Sequence, residues 1–123
     1  MELAVKKKKV LVIDDDYYMC KSISQLLENE DMLVDYENNI SAGIDRLLAD
    51  KYEVIILDIH LPGIDGVSMM PVLKEITPSS KVILVSADDV VDVLNQYSNV
   101  VVENFIQKPI NRERLLNIIN NKR

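Results

Sequence analysis

The chain has 123 residues, 48% of them hydrophobic, one cysteine and a formal charge of −6. That length fits one domain, residues 1–123, which can bury roughly two-thirds of its unfolded surface without staples. The acidic balance opposes direct nucleic-acid binding, lone Cys20 without a signal-peptide pattern points to the cytoplasm, and no apolar stretch nears the roughly 20 residues that cross a bilayer.

The run Lys6–Lys9 reads as a solvated lead-in to a first strand, Lys8–Ile13. That strand ends in Asp14, Asp15 and Asp16. Met19, Ile23, Leu26 and Leu27 then recur at i, i+4, i+7, i+8 and predict a helix with Asp16 as its N-cap. Tyr17, Tyr18 and Met19 open it and are expected partly in the core. Leu33–Tyr36 is a second strand, and its alternation of Val34 and Tyr36 with Asp35 and Glu37 suits a sheet edge. Ile40, Ile44, Leu47 and Leu48 predict a second helix, capped by Ser41 or Asn39.

Val54–Leu57 is a continuously apolar third strand that runs into Asp58. Pro62-Gly63 and Asp65-Gly66 make turns after it. A helix follows around Val67–Ile76, with Pro71 in its first turn or kinking it. Val82–Val85 is a fourth strand, ending in Ser86. The helix expected over Asp88–Tyr97 is intrinsically weak, because Val90, Val91 and Val93 are β-branched. A fifth strand over roughly Val101–Ile106 leads to Lys108-Pro109, a step biased towards extended or turn geometry and open to a cis bond. Asn111 opens the last helix, whose apolar face is Leu115, Ile118 and Ile119.

Five β/α units with short, right-handed connections predict a flavodoxin-like, doubly wound parallel sheet of five strands in order 2-1-3-4-5, with five helices. Ligands bind at the carboxyl edge of such sheets. There this chain carries Asp14, Asp15, Asp58, Ser86 and Lys108. Adjacent carboxylates repel, and a hard cation such as Mg²⁺ relieves the repulsion through oxygen ligands. An aspartate is also an accepted nucleophile towards phosphorus, giving an acyl phosphate. A lysine point charge suits a phosphoryl oxygen, and a serine hydroxyl can donate to it. The set reads as a Mg²⁺-assisted phosphoryl acceptor.

Four segments carry a family resemblance in order and spacing: Val10 to Asp16, Ile55 to Gly66, Leu84 to Ala87, and Phe105 to Pro109. Over essentially its whole length the chain resembles a bacterial response-regulator receiver domain, chemotaxis-regulator-like, the phospho-acceptor half of two-component signalling. The resemblance implies that Asp58 is phosphorylated by a sensor histidine kinase or a histidine phosphotransfer protein. It implies that Asp14, Asp15, Asp58 and the backbone carbonyl of His60 hold Mg²⁺, and that Lys108 and Ser86 contact the phosphoryl group. Phe105 falls at the aromatic switch position, and the output face is the fourth helix, fifth strand and fifth helix. His60 and Asp88 flank the site and are expected to tune the lifetime of the acyl phosphate, His60 through its charge near neutral pH. The first helix meets the phosphodonor in this family, and dimerisation through the output face is common.

The chain departs from the family just before the fifth strand, where a small Gly-Ala pair is usual and Ser98 to Asn104 are bulkier. A β-branched fourth helix beside that departure suits a segment of low local stability. Beyond catalysing its own phosphorylation and slow dephosphorylation, no enzymatic activity is expected. An Asp-nucleophile phosphatase, which Asp14-x-Asp16 superficially allows, would need a general-acid Asp two residues after the nucleophile and a substrate-capping insertion, for which the tight loops leave no room. A degenerate receiver acting as an unphosphorylated interaction module would not need the full site. The sequence names no effector. The initial Met favours a true start, for either a stand-alone regulator or the receiver of a longer protein such as a transcription factor.

Overall fold

The computed structural model describes residues 7–28, 30–96 and 104–121. Its five main strands are β1 (Lys8–Ile13), β2 (Met32–Glu37), β3 (Val54–Asp58), β4 (Lys81–Ser86) and β5 (Phe105–Gln107). They form one parallel sheet in the order β2-β1-β3-β4-β5, as expected. The chain steps outward from β1 to β2 and returns to β3 on the other side. The switch point therefore lies between β1 and β3, the two strands that end in acids.

The helices are α1 (Tyr17–Leu26), α2 (Ile40–Ala49), α3 (Met70–Ile76), α4 (Val90–Gln96) and α5 (Arg112–Asn120). They cover both sheet faces, and the two-residue period of the strands divides the core accordingly. Leu11, Ile13, Ile55, Leu57 and Leu84 pack in one layer with Ile40 and Leu47 of α2, Leu73 of α3 and Val93 of α4. Val10, Val12, Val54, Ile56, Ile83 and Val85 pack in the other with Cys20 and Ile23 of α1 and Leu115, Ile118 and Ile119 of α5. Every residue of β3 is buried, which is why that strand shows no polar alternation.

The caps resolve local alternatives. Asp16 Oδ1 accepts from the backbone N–H groups of Tyr18 (2.9 Å) and Met19 (3.3 Å), and Asn111 Oδ1 accepts from Arg114 (3.0 Å). Asn39, not Ser41, caps α2, accepting from Ala42 N at 2.8 Å. Pro71 sits in the first turn of α3, after a 3₁₀ turn over Val67–Met69. The Lys108–Pro109 bond is cis. At the opposite edge of the sheet, two ammonium groups meet the carboxyl end of α5: Lys81 Nζ donates to Ile118 O (2.6 Å) and Lys8 Nζ to Ile119 O (3.3 Å). Cations there complement the helix dipole.

Two expectations fail. Leu48 is 67% exposed. The inward face of α2 is centred on Ile40, Gly43 and Leu47, because Gly43 lets the helix backbone approach β1. A Cβ on Gly43 would lie 2.5 Å from Ile13 Cδ1. Tyr17 and Tyr18 are also exposed, at 50% and 81%. Helix α1 begins beyond the carboxyl edge of the sheet, so burial starts only around half-buried Met19 and buried Cys20. Tyr17 instead meets Tyr36 on edge strand β2, with ring centroids 5.9 Å apart. Strand β5 is described only from Phe105. Lys6, Tyr97 and the departure at Ser98 to Glu103 lie outside the described residues.

Asn39→Ala is expected to cost about 1 kcal/mol of stability, the usual value of an N-cap. Ser41→Ala should cost nearly nothing. Urea midpoints of the two variants check the assignment.

Candidate functional site

Strands β1, β3 and β4 stop at one level, and each ends in a buried polar residue. Asp14 is 2% exposed, Asp58 6% and Ser86 0%. Asp15, the next residue along, is exposed. One carboxylate oxygen from each of Asp14, Asp15 and Asp58 falls within 4.8 Å of the others. The loop after β5 brings in Lys108, whose ammonium lies 3.3 Å from Asp14 Oδ2 and 3.5 Å from Asp58 Oδ2. A backbone bond of 2.7 Å from Lys108 N to Ser86 O fixes that loop against β4. Four of the five predicted side chains, Asp14, Asp15, Asp58 and Lys108, thus form one cluster, and Ser86 ends the strand next to Asp58.

The acids are individually seated. Asp14 Oδ1 accepts from Asp16 N (2.9 Å), and its carbonyl accepts from the buried Cys20 thiol (3.4 Å). Burial pushes that thiol up to about 11, so it remains a neutral donor. Asp58 Oδ1 accepts from His60 N at 3.0 Å. The chain then turns through a short antiparallel ribbon, His60–Leu61 against Ile64–Asp65, with Gly63 at φ 73°. It closes next to Asp58, where Gly66 N donates to Ile59 O (3.0 Å). A Cβ on Gly66 would lie 2.6 Å from Ile59 Cα and 2.8 Å from Asp58 O, so only glycine fits there.

Burial raises the Asp14 carboxyl above its ordinary 3.8; the Asp16 N–H opposes this, nearby Asp58 adds to it, and Lys108 opposes it. Burial works against the Lys108 ammonium, but its attraction to Asp14 and Asp58 outweighs this and raises it, so Lys108 stays charged. With all three carboxylates ionised, one lysine leaves two negative charges uncompensated. A divalent cation with oxygen ligands matches both that deficit and the donor set.

The remaining predicted residues take other places. His60 and Asp88 stand exposed at the rim, with His60 Nε2 2.8 Å from Asp88 Oδ2. Ser86 Oγ accepts from Asp88 N at 3.0 Å. Phe105 is buried in the layer of α2, α3 and α4. Asp16 is engaged as the cap of α1. Neither the thiol behind Asp14 nor the His60–Asp88 contact has a local sequence signal, since that pair is 28 residues apart. Gly66 reads from sequence only as part of a turn.

Residues 10–120 match the family model described as response regulator receiver domain. The chain belongs to that family. Receiver domains are the signal-receiving part of two-component response regulators. This one is 28% identical over 109 residues to "Response regulator ArlR" of Staphylococcus epidermidis, covering 87% of this chain and 48% of that protein. It therefore spans about half the length of that curated relative. Among solved structures it is similar to the beryllofluoride-activated NtrC4 receiver domain dimer, with 31% identity and a TM-score of 0.78 over 89% of this chain and 92% of that one. It shares its fold with a response regulator protein from Burkholderia pseudomallei that carries a phosphorylated aspartic acid, a calcium ion and citrate. That likeness has a TM-score of 0.81 at 24% identity, over 94% of this receiver and 68% of that chain.

Two outcomes test the site. Without metal, the folded state holds the Asp14 proton more tightly than the unfolded chain, so stability falls as pH rises above 3.8 until Asp14 ionises in both states. Asp14→Asn should therefore be more stable than the parent at neutral pH without metal. Mg²⁺ at a hundred times its Kd should add about 2.7 kcal/mol to the parent and much less to the variant, read by urea unfolding. Gly66→Ala should destabilise by about 2 kcal/mol and weaken Mg²⁺ binding, because backbone rather than a flexible side chain must move.

Proposed function

We propose that this receiver domain is a phosphorylation-dependent signalling switch whose acceptor is Asp58. The donor is a sensor histidine kinase or a histidine phosphotransfer protein. The Asp58 carboxylate attacks the phosphorus of a phosphohistidine and forms an O–P bond. The P–N bond breaks, its electron pair stays on the imidazole nitrogen, and that nitrogen takes up a proton. The observation that carries this reading is buried Asp58 at the end of β3, with the Lys108 ammonium 3.5 Å from its Oδ2 and two more carboxylates beside it. A nucleophile so placed needs positioning and charge neutralisation rather than a base.

The roles divide by chemistry. Asp14, Asp15, Asp58 and the His60 carbonyl would hold Mg²⁺, which when bound offsets the charge of the phosphoryl oxygens. Lys108 releases Asp58 and pairs with a phosphoryl oxygen, keeping its contact with Asp14. Ser86 donates its hydroxyl to another and moves inward to do so. Phe105, on the strand beside it, responds to that movement, and the α4-β5-α5 face carries the change to an output. The domain catalyses nothing beyond its own phosphorylation and slow dephosphorylation.

A second copy docking through the same face on phosphorylation fits the dimeric state of the NtrC4 receiver. We place the domain in the cytoplasm. Among the described residues no helix is long and apolar enough to cross a membrane. Asp16, the acid that the phosphatase alternative would use, is instead the cap of α1, its Oδ1 accepting from two backbone N–H groups.

Incubation with phosphoramidate and Mg²⁺ should add one phosphoryl group by mass, located at Asp58 and absent in Asp58→Asn. No gain in the parent would favour the unphosphorylated interaction module. Lys108→Ala should slow uptake on the order of 10²-fold, as expected for loss of one preorganised charge contact.

A further inference from the structure

The side chains of His60 and Asp88 meet two residues beyond Asp58 and Ser86, with His60 Nε2 2.8 Å from Asp88 Oδ2. This contact joins the ribbon after β3 to the loop after β4, and both side chains are 49% exposed. Each partner is also tied through its own backbone to a reacting group. His60 N donates to Asp58 Oδ1, and Asp88 N donates to Ser86 Oγ, each at 3.0 Å. Acceptor, imidazole, carboxylate and hydroxyl thus form one chain of contacts across the pocket.

Asp88 leads directly into α4. Its neighbour Asp89 accepts from Asp92 N through Oδ1 (2.9 Å) and from Val93 N through its carbonyl (3.1 Å). Asp88 is thus the residue next to the one that holds the first turn of that helix. Helix α4 is poorly secured otherwise: Val90, Val91 and Val93 are weak helix formers, and only Val93 is buried.

We propose that His60 senses the phosphoryl group by changing partner, a device that rests on the acceptor reading of Asp58. In the unmodified protein the imidazole holds Asp88. A phosphoryl group on Asp58 replaces one carboxylate charge with about −1.5 to −2 and three acceptor oxygens. That group outcompetes Asp88 for the imidazole and repels the Asp88 carboxylate. The inward movement of Ser86 removes the bond to Asp88 N in the same event. Asp88 loses both ties at once, and the first turn of α4 loosens. The signal thus reaches α4 by a route separate from Phe105.

The test is amide hydrogen exchange over Val90–Gln96 in the parent, His60→Ala, Asp88→Ala and the double variant, with and without Mg²⁺ and beryllofluoride. Each single substitution should speed exchange roughly two- to fivefold in the unmodified protein, the range of one exposed ion pair, and the double no further. Beryllofluoride should speed exchange in the parent and by a smaller factor in the variants, where only the bond from Asp88 N to Ser86 Oγ remains to be lost. Because His60 is the only histidine, the single imidazole resonance should shift on beryllofluoride addition. Unchanged exchange in both single variants, an equal response to beryllofluoride in all four proteins, or a static imidazole signal would each overturn the proposal. Phosphoramidate labelling separates the two failures. If Asp58 is modified in all four proteins while exchange ignores the substitutions, the partner change is wrong and the acceptor stands. If the parent is not modified at Asp58, both fall.

Discussion

Charge that cannot be neutralised from within the chain organises this molecule. Three carboxylates meet at the carboxyl edge of the sheet, two of them buried, and one lysine bridges the buried pair. Burial and mutual repulsion push Asp14 towards protonation, while Lys108 pulls the other way. The cluster is therefore poised to take positive charge, and its donors are the hard oxygens that a divalent cation prefers.

A rigid frame is needed to hold like charges together, and the parallel sheet provides it. Register pairs Ile13 with Leu57, so β1 and β3 end side by side and deliver their acids to the same level. Close packing then leaves little freedom around each acid. Gly66 presses against the backbone of Asp58 and Ile59, and Cys20 holds the carbonyl of Asp14 from behind. The site is stiff on the sheet side and open on the loop side.

Helix α4 is the element whose stability is most conditional. Its inward anchor is Val93, and Val90, Val91 and Leu94 are exposed by 41%, 60% and 42%. Among the described residues of α4, Val93 is the one buried side chain, and elements with few buried apolar contacts open at the low end of the stability range.

Most of the fold was legible in the residues. Continuous apolar strands announced a sheet covered on both faces, and helical spacing placed Ile23, Leu47 and Leu115 inward. Asp14, Asp15, Asp58, Ser86 and Lys108 were legible because each follows a recognisable strand, and parallel strands can end only at a common edge. Sequence periodicity could not say that Gly43 would draw α2 inward and turn Leu48 out, since that depends on which helix meets which strand. Nor could it place Tyr17 and Tyr18 outside, because helix phase does not reveal where the sheet stops. The His60–Asp88 contact and the Cys20 thiol beneath Asp14 were decided by tertiary structure alone. Hydrogen bonds between separate elements leave no periodic trace. The sequence by itself determined which groups would gather at the sheet edge; packing decided how they are held and what they touch.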